Sequence, residues 1–510
     1  DDTGILAIGS EIGICPMEES SIVRKGAIKP GRLVAVNLAE GKFYDSDEII
    51  GKLATAKPYA KWLEQVVELD DKLAGKEPAP IRTGNALVQA QLACGRSREE
   101  LDLILTPMAK TAKEAVGSMG DDTPLAVLSD QYRPLSHFFK QKFSQVTNPP
   151  IDPLRETRVM GLKTRFRNLR NILTEGPDQT DQMYVLESPV LTNAMYDNYL
   201  KMVGKNIAVL DCTFAKPKKG ATKGGALHVL LRDIAKQAEK AVRDGVETIV
   251  LSDENLSAEH IAAPMILCAG SVHAHLGREG LRSNCSIIVR SAECLDTHYF
   301  AVLIGAGATA VNPYLTQEVI MDMAQRGIID TDTDTALANY KTAIDNGLLK
   351  IISKAGISVI SSYRGGNNFE ALGLSRSLVD AHFPGMSSRI SGIGLAGLEH
   401  KAVQQHGEAY GEDDKENTTG VVLPIGGFHR KRAGAERHAY GAEMIDMLQK
   451  LSKKAAKQRG WKGLYIGDIS QPRGGPMTSG HASHQLGLDA DIWMLPANNL
   501  NLTRRHRENL

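Results

Sequence analysis

The chain has 510 residues, with 60 Lys plus Arg set against 60 Asp plus Glu, and is 42% hydrophobic and 24% charged. The balanced charge removes any electrostatic reason to expect nucleic acid or an anionic membrane as partner. The longest apolar run, near Ile261 to Gly270, falls far short of the roughly 20 residues a membrane-spanning helix needs.

The length suits roughly three domains. Six cysteines, at 15, 94, 212, 268, 285 and 294, form no C-x-x-C pair, which predicts reduced thiols rather than a disulfide framework. The chain opens at Asp1 with "DDTGILAIGSEIGI", which has no basic stretch ahead of its apolar part and so lacks the pattern of a signal peptide. It closes on the charged "NLTRRHRENL" without a helix-stop signal, and both ends have the look of a fragment.

In chain order, residues 1–50 predict strand and turn, with "LVAVNLAEGKFY" forming a hairpin about Glu40-Gly41. Residues 51–115 predict helices and connections, among them "YAKWLEQVVELDDKL" with apolar residues at helical spacing. From about Lys205 the pattern becomes regular. "NIAVLDC", "ETIVLSD", "CSIIVRS", "TAVNPY" and "ISVISS" have the composition of strands. Between them, "ALHVLLRDIAKQAEKAVRDG", "AAPMILCAGSVHAHLGREG" and the stretch 330–353 are helical. Such alternation predicts a parallel sheet covered by helices, either a barrel or a doubly wound layer. In both, the carboxyl ends of the strands carry the chemistry, here Asp211, Asp253, Ser291, Asn312 and Ser361. Residues 404–420 are polar and predict a solvated loop; "RHAYGAEMIDMLQKLSKKAAKQRG" predicts a helix and "GLYIGDIS" a strand. No internal repeat or low-complexity tract is found.

Four stretches carry possible chemistry. "GAGATA" (305–310) mimics the start of a dinucleotide fingerprint, but Pro313 forbids the helix that must follow, so a helix-to-strand turn is expected. His273 and His275 stand two residues apart on a helix, point to different faces and chelate one metal poorly. Cys212 is either a thiol at a strand end or a small buried hydrophobe, the latter being expected. "SGHASHQLGLDADIW" (479–493) is different in kind, because His484 and Asp491 form H-x6-D with His481 three residues earlier. Zinc takes such nitrogen and oxygen ligands, and Gly475, Gly480 and Gly487 permit a tight loop. The alternative is a polar loop with two surface histidines. A catalytic zinc generally needs three protein ligands, and the later His506, within "TRRHREN", has the setting of a solvated helix face.

Longer stretches resemble a known family. "GSMGDDTPLAVLSD", "FSQVTNPPIDPLRE", "LSDENLSAEHIAAPMILCAGSVHAHLGREGLR", "HYFAVLIGAGATAVNPYL", "NGLLKIISKAGISVISSYRGGNNFEALGL" and "VLPIGGFHRKRAGAERHAY" resemble the large subunit of bacterial glutamate synthase. "VRKGAIKPGRLVAVNLAEGKFYDSDEI" resembles the end of its glutaminase domain, so the likeness covers about residues 1–445. That family makes glutamate from glutamine and 2-oxoglutarate with FMN, an iron–sulfur cluster and an external electron donor. The resemblance therefore implies those cofactors, a possible small subunit or self-association, and a cytoplasmic setting. The family's nucleophilic cysteine and close-set cluster cysteines find no counterpart here, and most of the FMN-binding sequence is expected past about residue 450. No catalytic or cofactor-binding residue is assigned on this ground.

"GWKGLYIGDISQPRGGPMTSGHASHQLGLDADIWMLPA" (460–497) resembles a second family, the penicillin-insensitive murein endopeptidases of the periplasm. The positions matching its zinc ligands are His481, His484 and Asp491, and its remaining ligand histidine lies farther downstream. Peptidoglycan is the partner this implies.

The sequence thus predicts an α/β protein with a parallel, barrel-like β/α central domain, a β-rich N-terminal segment and a small truncated α+β metallopeptidase-like piece. The expected divisions are 1–50 (end of the amidotransferase domain), 51–375 (central domain), 376–445 (start of the FMN domain or linker) and 446–510 (zinc segment), with a seam near 436–450. Incomplete activity is expected on both sides. The alternatives are a zinc metallopeptidase cleaving peptidoglycan cross-links and a non-catalytic chimera.

Overall fold

The structure is a computed structural model that describes residues 1–11, 13–115, 125–129, 132–142, 150–169, 173, 176–177, 183–218, 222–410, 450–457, 465–466 and 492–493. The chain divides into two compact units, one of residues 1–67 with 173–183 and one of 68–172 with 184–510.

In the first unit, β1 (Ala35–Asn37) and β2 (Lys42–Tyr44) pair antiparallel, with Ala35 opposite Tyr44. The turn passes through Gly41 at φ 63°, as the hairpin about Glu40-Gly41 requires. Asp45 accepts from the Glu48 N–H and caps α1 (Ser46–Ala54). The single helix expected over 59–73 is broken, with helical turns at Tyr59–Leu63 and Asp70–Leu73. Between them the Val67 N–H bonds the Met183 carbonyl at 2.8 Å, so pairing with a distant segment wins over helical periodicity.

In the second unit, α2 (Gly84–Ala93), β3 (Phe139–Gln141), β4 (Thr164–Phe166), β5 (Tyr184–Leu186) and α3 (Asn193–Val203) lead into the regular part. There β6 (Ile207–Asp211), α4 (Gly225–Arg243), β7 (Thr248–Ser252), α5 (Met265–Arg278), β8 (Ser286–Arg290), α6 (Thr297–Gly305), β9 (Ala310–Asn312) and α7 (Tyr314–Gln325) follow one another. The four strands form one parallel sheet in the order β9-β8-β7-β6. That order is the reverse of chain order without a switch. It is the singly wound arrangement of a β/α barrel, since a doubly wound sheet changes direction midway. An isolated parallel bridge from Val190 to Val311 extends the sheet beyond β9. Every residue of β7, β8 and β9 is buried, which is why their sequences are mainly apolar or β-branched, with polar residues only at their ends, rather than alternating.

The "GAGATA" stretch is the turn between α6 and β9, with Gly307 at φ 110°. Helix α8 (Thr333–Lys354), capped by Asp332, falls where 330–353 predicted one. The expected strand "ISVISS" is corrected: the chain makes a single bridge from Val359 to Gly161 and then turns into a helix over Ile360–Tyr363. Among the described residues no strand lies alongside beyond that bridge, and Ser361 is a helix residue and not a strand end.

A second sheet is built from β10 (Phe369–Leu374), which pairs parallel with β11 (Ser387–Ile393) and antiparallel with β3; α9 (Arg376–His382) connects β10 to β11. Helix α10 (Leu395–Tyr410) follows, so the first part of the supposed loop 404–420 is helical; residues 411–420 lie outside the described residues. The β10–β11 pair is tight at one point, where a Cβ on Gly392 would lie 2.1 Å from the Gly373 carbonyl oxygen. A backbone atom cannot yield as a side chain does. Gly392→Ala is therefore expected to destabilise the unit by about 2–3 kcal/mol, read as a lower urea midpoint.

The tail shows one antiparallel pair, β12 (Tyr465–Ile466) with β13 (Ile492–Trp493). His481, His484 and Asp491 lie outside the described residues. Among the described residues no helix is long and apolar enough to cross a membrane.

Candidate functional site at the carboxyl ends of the parallel sheet

The carboxyl ends of β6 to β9 bring together Asp211, Asp253, Ser291 and Asn312, as their positions predicted. What surrounds them decides their role. Arg290, the last residue of β8, is 4% exposed and carries a full charge into the interior. It donates from Nε and Nη2 to the two Glu254 oxygens at 2.9 and 2.7 Å, and from Nη1 to Asn312 Oδ1 at 2.6 Å. Its guanidinium carbon lies 4.5 Å from the Tyr196 ring centroid and 4.8 Å from that of Tyr314. A bidentate carboxylate with two aromatic faces is the geometry that offsets desolvation of a guanidinium. Asn312 passes the chain of bonds on, donating at 3.0 Å to the Leu191 carbonyl and to Asn193 Oδ1.

Asp253, one residue past β7, is fully buried, and both its carboxylate oxygens lie 3.0 Å from the Ala292 N–H. Burial pushes its pKa up to about 7; the Ala292 N–H opposes that shift and the nearby Glu293 charge adds to it. Glu293 accepts from the Tyr132 hydroxyl at 2.8 Å, from the Tyr299 hydroxyl and from the Met265 N–H at 3.3 Å. Arg96 closes the ring, donating from Nη2 to the Ala292 and Glu293 carbonyls at 3.2 and 2.7 Å. Arg82 donates to the Glu254 and Leu256 carbonyls at 2.6 and 3.3 Å. Glu318, 1% exposed, accepts from the Ile81 N–H at 3.0 Å, and burial raises its pKa. Asp211 is outside this network, on the edge strand, where it accepts from Thr213 and from Asn255. Ser291 Oγ is buried without a hydrogen-bond partner.

Beside the network lies a cavity lined by Cys94, Tyr132, Glu293 and His406 among others, with about 10 Å³ of open interior, room for about one water. Substrate and cofactor sites run to about 300–1,000 Å³. Ser291 Oγ, Glu318 Oε2 and Arg82 Nη1 are buried without a hydrogen-bond partner, while Arg290, Glu254, Asp253 and Glu293 are engaged with protein groups. Chemically, the arrangement ties the ends of β7, β8 and β9 to preceding and following segments through charge and hydrogen bonds.

The smaller candidates behave as their spacing implied. His273 meets Arg282 Nε at 2.9 Å and His275 meets Glu239 at 2.8 Å, on separate faces of α5. Cys212 is fully buried, and burial raises its thiol pKa well above normal, as a small core residue would show. Sequence reasoning missed Arg290, Glu254, Arg96, Glu293 and Arg82. The signal was present in "LSDEN" and "VRSAE", where acidic and basic residues end or directly follow largely apolar strands.

The family model of the glutamate synthase central domain matches residues 89–375. This chain belongs to that family. The model of the class-II glutamine amidotransferases matches residues 1–62, and that of penicillin-insensitive murein endopeptidase matches 419–510. The glutamate synthase [NADPH] large chain of Azospirillum brasilense is 50% identical over 450 residues, 88% of this chain and 29% of that protein. The chloroplastic ferredoxin-dependent glutamate synthase of Oryza sativa is 38% identical, and the [NADPH] large chain of Bacillus subtilis 35%, each over 87% of this chain and 28% of theirs. This glutamate synthase family member thus spans less than a third of the length of the curated relatives it matches. Among solved structures, a flavocytochrome b2 variant with sulfite bound aligns with 56% of this chain and 82% of its own, at 10% identity and a TM-score of 0.28.

Proposed function

We propose that residues 1–445 are the joining framework of a glutamate synthase large subunit. In this reading 1–50 close an amidotransferase domain, 51–375 form the central domain and 376–445 begin an FMN domain. The observation that carries it is the charge network at the carboxyl ends of β7 to β9. In a singly wound β/α array that end usually opens to substrate, and here Arg290, Glu254, Asp253, Glu293 and Arg96 seal it. The central domain then supports catalysis by rigidity, and this face performs no turnover itself. FMN, the iron–sulfur cluster and a possible small-subunit partner, which the sequence resemblance implies, belong in this reading to the assembled enzyme. Replacing the matching stretch of the Azospirillum brasilense large chain with residues 89–375 of this chain tests the reading. Glutamate formation is expected to continue; a folded hybrid that makes none would overturn it.

A second reading applies to the tail, on the murein endopeptidase match over 419–510. We propose that 446–510 hold zinc through His481, His484 and Asp491, with peptidoglycan as the partner of an assembled site. Imidazole and carboxylate are zinc's usual ligands, and the β12–β13 pairing brings residue 466 beside 492, at the edges of this stretch. His484→Ala is expected to lower the zinc content of the purified chain. Unchanged zinc content would remove the assignment.

A further inference from the structure

Helices α4 and α5 pack side by side, and at one end of their seam three ligand-type side chains converge. Glu239 of α4, His275 of α5 and Glu279 just past α5 each place one oxygen or nitrogen within 4.8 Å of the others. The local sequence explains the convergence. His275 and Glu279 are four residues apart and share a helix face. Glu279 is the C-cap, its N–H bonded to the His275 carbonyl at 3.0 Å, and Gly280 at φ 68° turns the chain away behind it.

The place between the ligands is held by a cation already. Arg243 donates to Glu239 Oε1 at 2.8 Å and to Glu279 Oε2 at 3.0 Å, while His275 Nε2 lies 2.8 Å from Glu239 Oε2. Two carboxylates thus face one guanidinium, which leaves negative charge in excess. The Arg243 side chain is 51% exposed, so its release into water forfeits two surface ion pairs, each worth about 1 kcal/mol or less.

We propose that Glu239, His275 and Glu279 form a divalent transition-metal site, with zinc the favoured ion, in which the metal displaces the Arg243 guanidinium. One nitrogen and two carboxylate oxygens leave a fourth tetrahedral position for water. The imidazole selects zinc over magnesium, which demands oxygen ligands in an octahedron. Ligand atoms about 2.1 Å from a tetrahedral ion stand roughly 3.4 Å apart. The present separations close to that by rotamer changes in side chains that are all partly solvated. The cluster uses none of the residues of the strand-end network or of the tail motif, and rests on neither proposed reading.

The test is calorimetric zinc titration of the full chain carrying His484→Ala, so that the tail motif does not dominate the signal. About one zinc per chain is expected at this cluster. Glu239→Gln and His275→Gln should each weaken it about tenfold or more. Arg243→Gln removes the competitor and should tighten binding several-fold, a gain that damage to the fold would not produce. Circular dichroism confirms that each variant is folded. Zinc uptake indifferent to Glu239→Gln and His275→Gln, absence of uptake, unchanged or weaker binding in Arg243→Gln, or equal competition by magnesium would each overturn the proposal.

Discussion

Arg290→Ala should destabilise the central domain by about 3–5 kcal/mol, the largest effect expected of any single charge removal in this chain. The substitution deletes two hydrogen bonds to Glu254 and one to Asn312, and empties the space between the Tyr196 and Tyr314 rings. Glu254 is left facing the interior with its charge uncompensated. Its side chain keeps 34% exposure, which places the cost toward the lower end of that range. Urea unfolding, followed by circular dichroism, measures it. The double variant Arg290→Met with Glu254→Gln should recover much of the loss, because removing both charges removes the desolvation cost along with the attraction. A single variant as stable as the wild type would mean that the strand ends are held by the apolar core alone.

Asp253→Asn should flatten the pH dependence of stability between about pH 4 and pH 7 and raise stability above it. The sign follows from linkage. Asp253 has a folded pKa of about 7 against an ordinary value of 3.8. Between those values the folded chain holds a proton that the unfolded chain has released, so stability falls as pH rises. The gap of about three units corresponds to an upper bound on the order of 4 kcal/mol, lost as pH rises from 3.8 to 7. Asn keeps an acceptor for the Ala292 N–H and carries no charge to bury. Thermal unfolding of both proteins at pH 5 and pH 8 reads the difference. The variant should gain most at pH 8; an equal effect at both values would show that Asp253 stays ionised in the fold.

Local features of the sequence proved the most legible. Glu40-Gly41 marks a turn because glycine reaches positive φ at no cost, and Gly41 does so. The apolar strands and amphipathic helices from 205 to 354 are visible because burial on both faces of a sheet leaves no polar positions to confuse the pattern. "GAGATA" is the turn into β9 as expected, but not because Pro313 bars a helix: Pro313 is the N-cap of α7, and β9 is what separates the glycines from that helix. Pairing partners proved far less legible. Val67 leaves its helix for a bond to Met183, and residues 357–359 find only one bridge, facts set by segments more than a hundred residues away. The same is true of the candidate site. Asp253 and Asn312 were marked by position at strand ends, but Arg290 was hidden because a charged residue at the end of a strand is ordinarily solvated. Only tertiary structure shows that Glu254, Tyr196 and Tyr314 meet it.

The central claim is that the carboxyl end of the parallel sheet is a closed structural joint. Passing the purified chain with excess FMN through a desalting column, and reading flavin absorbance and melting temperature, tests it most directly. Protein is expected to emerge without flavin and to melt at the same temperature with or without FMN. Protein that retains stoichiometric FMN, melts higher in its presence, and loses the flavin in a folded Arg290→Met/Glu254→Gln variant would contradict it.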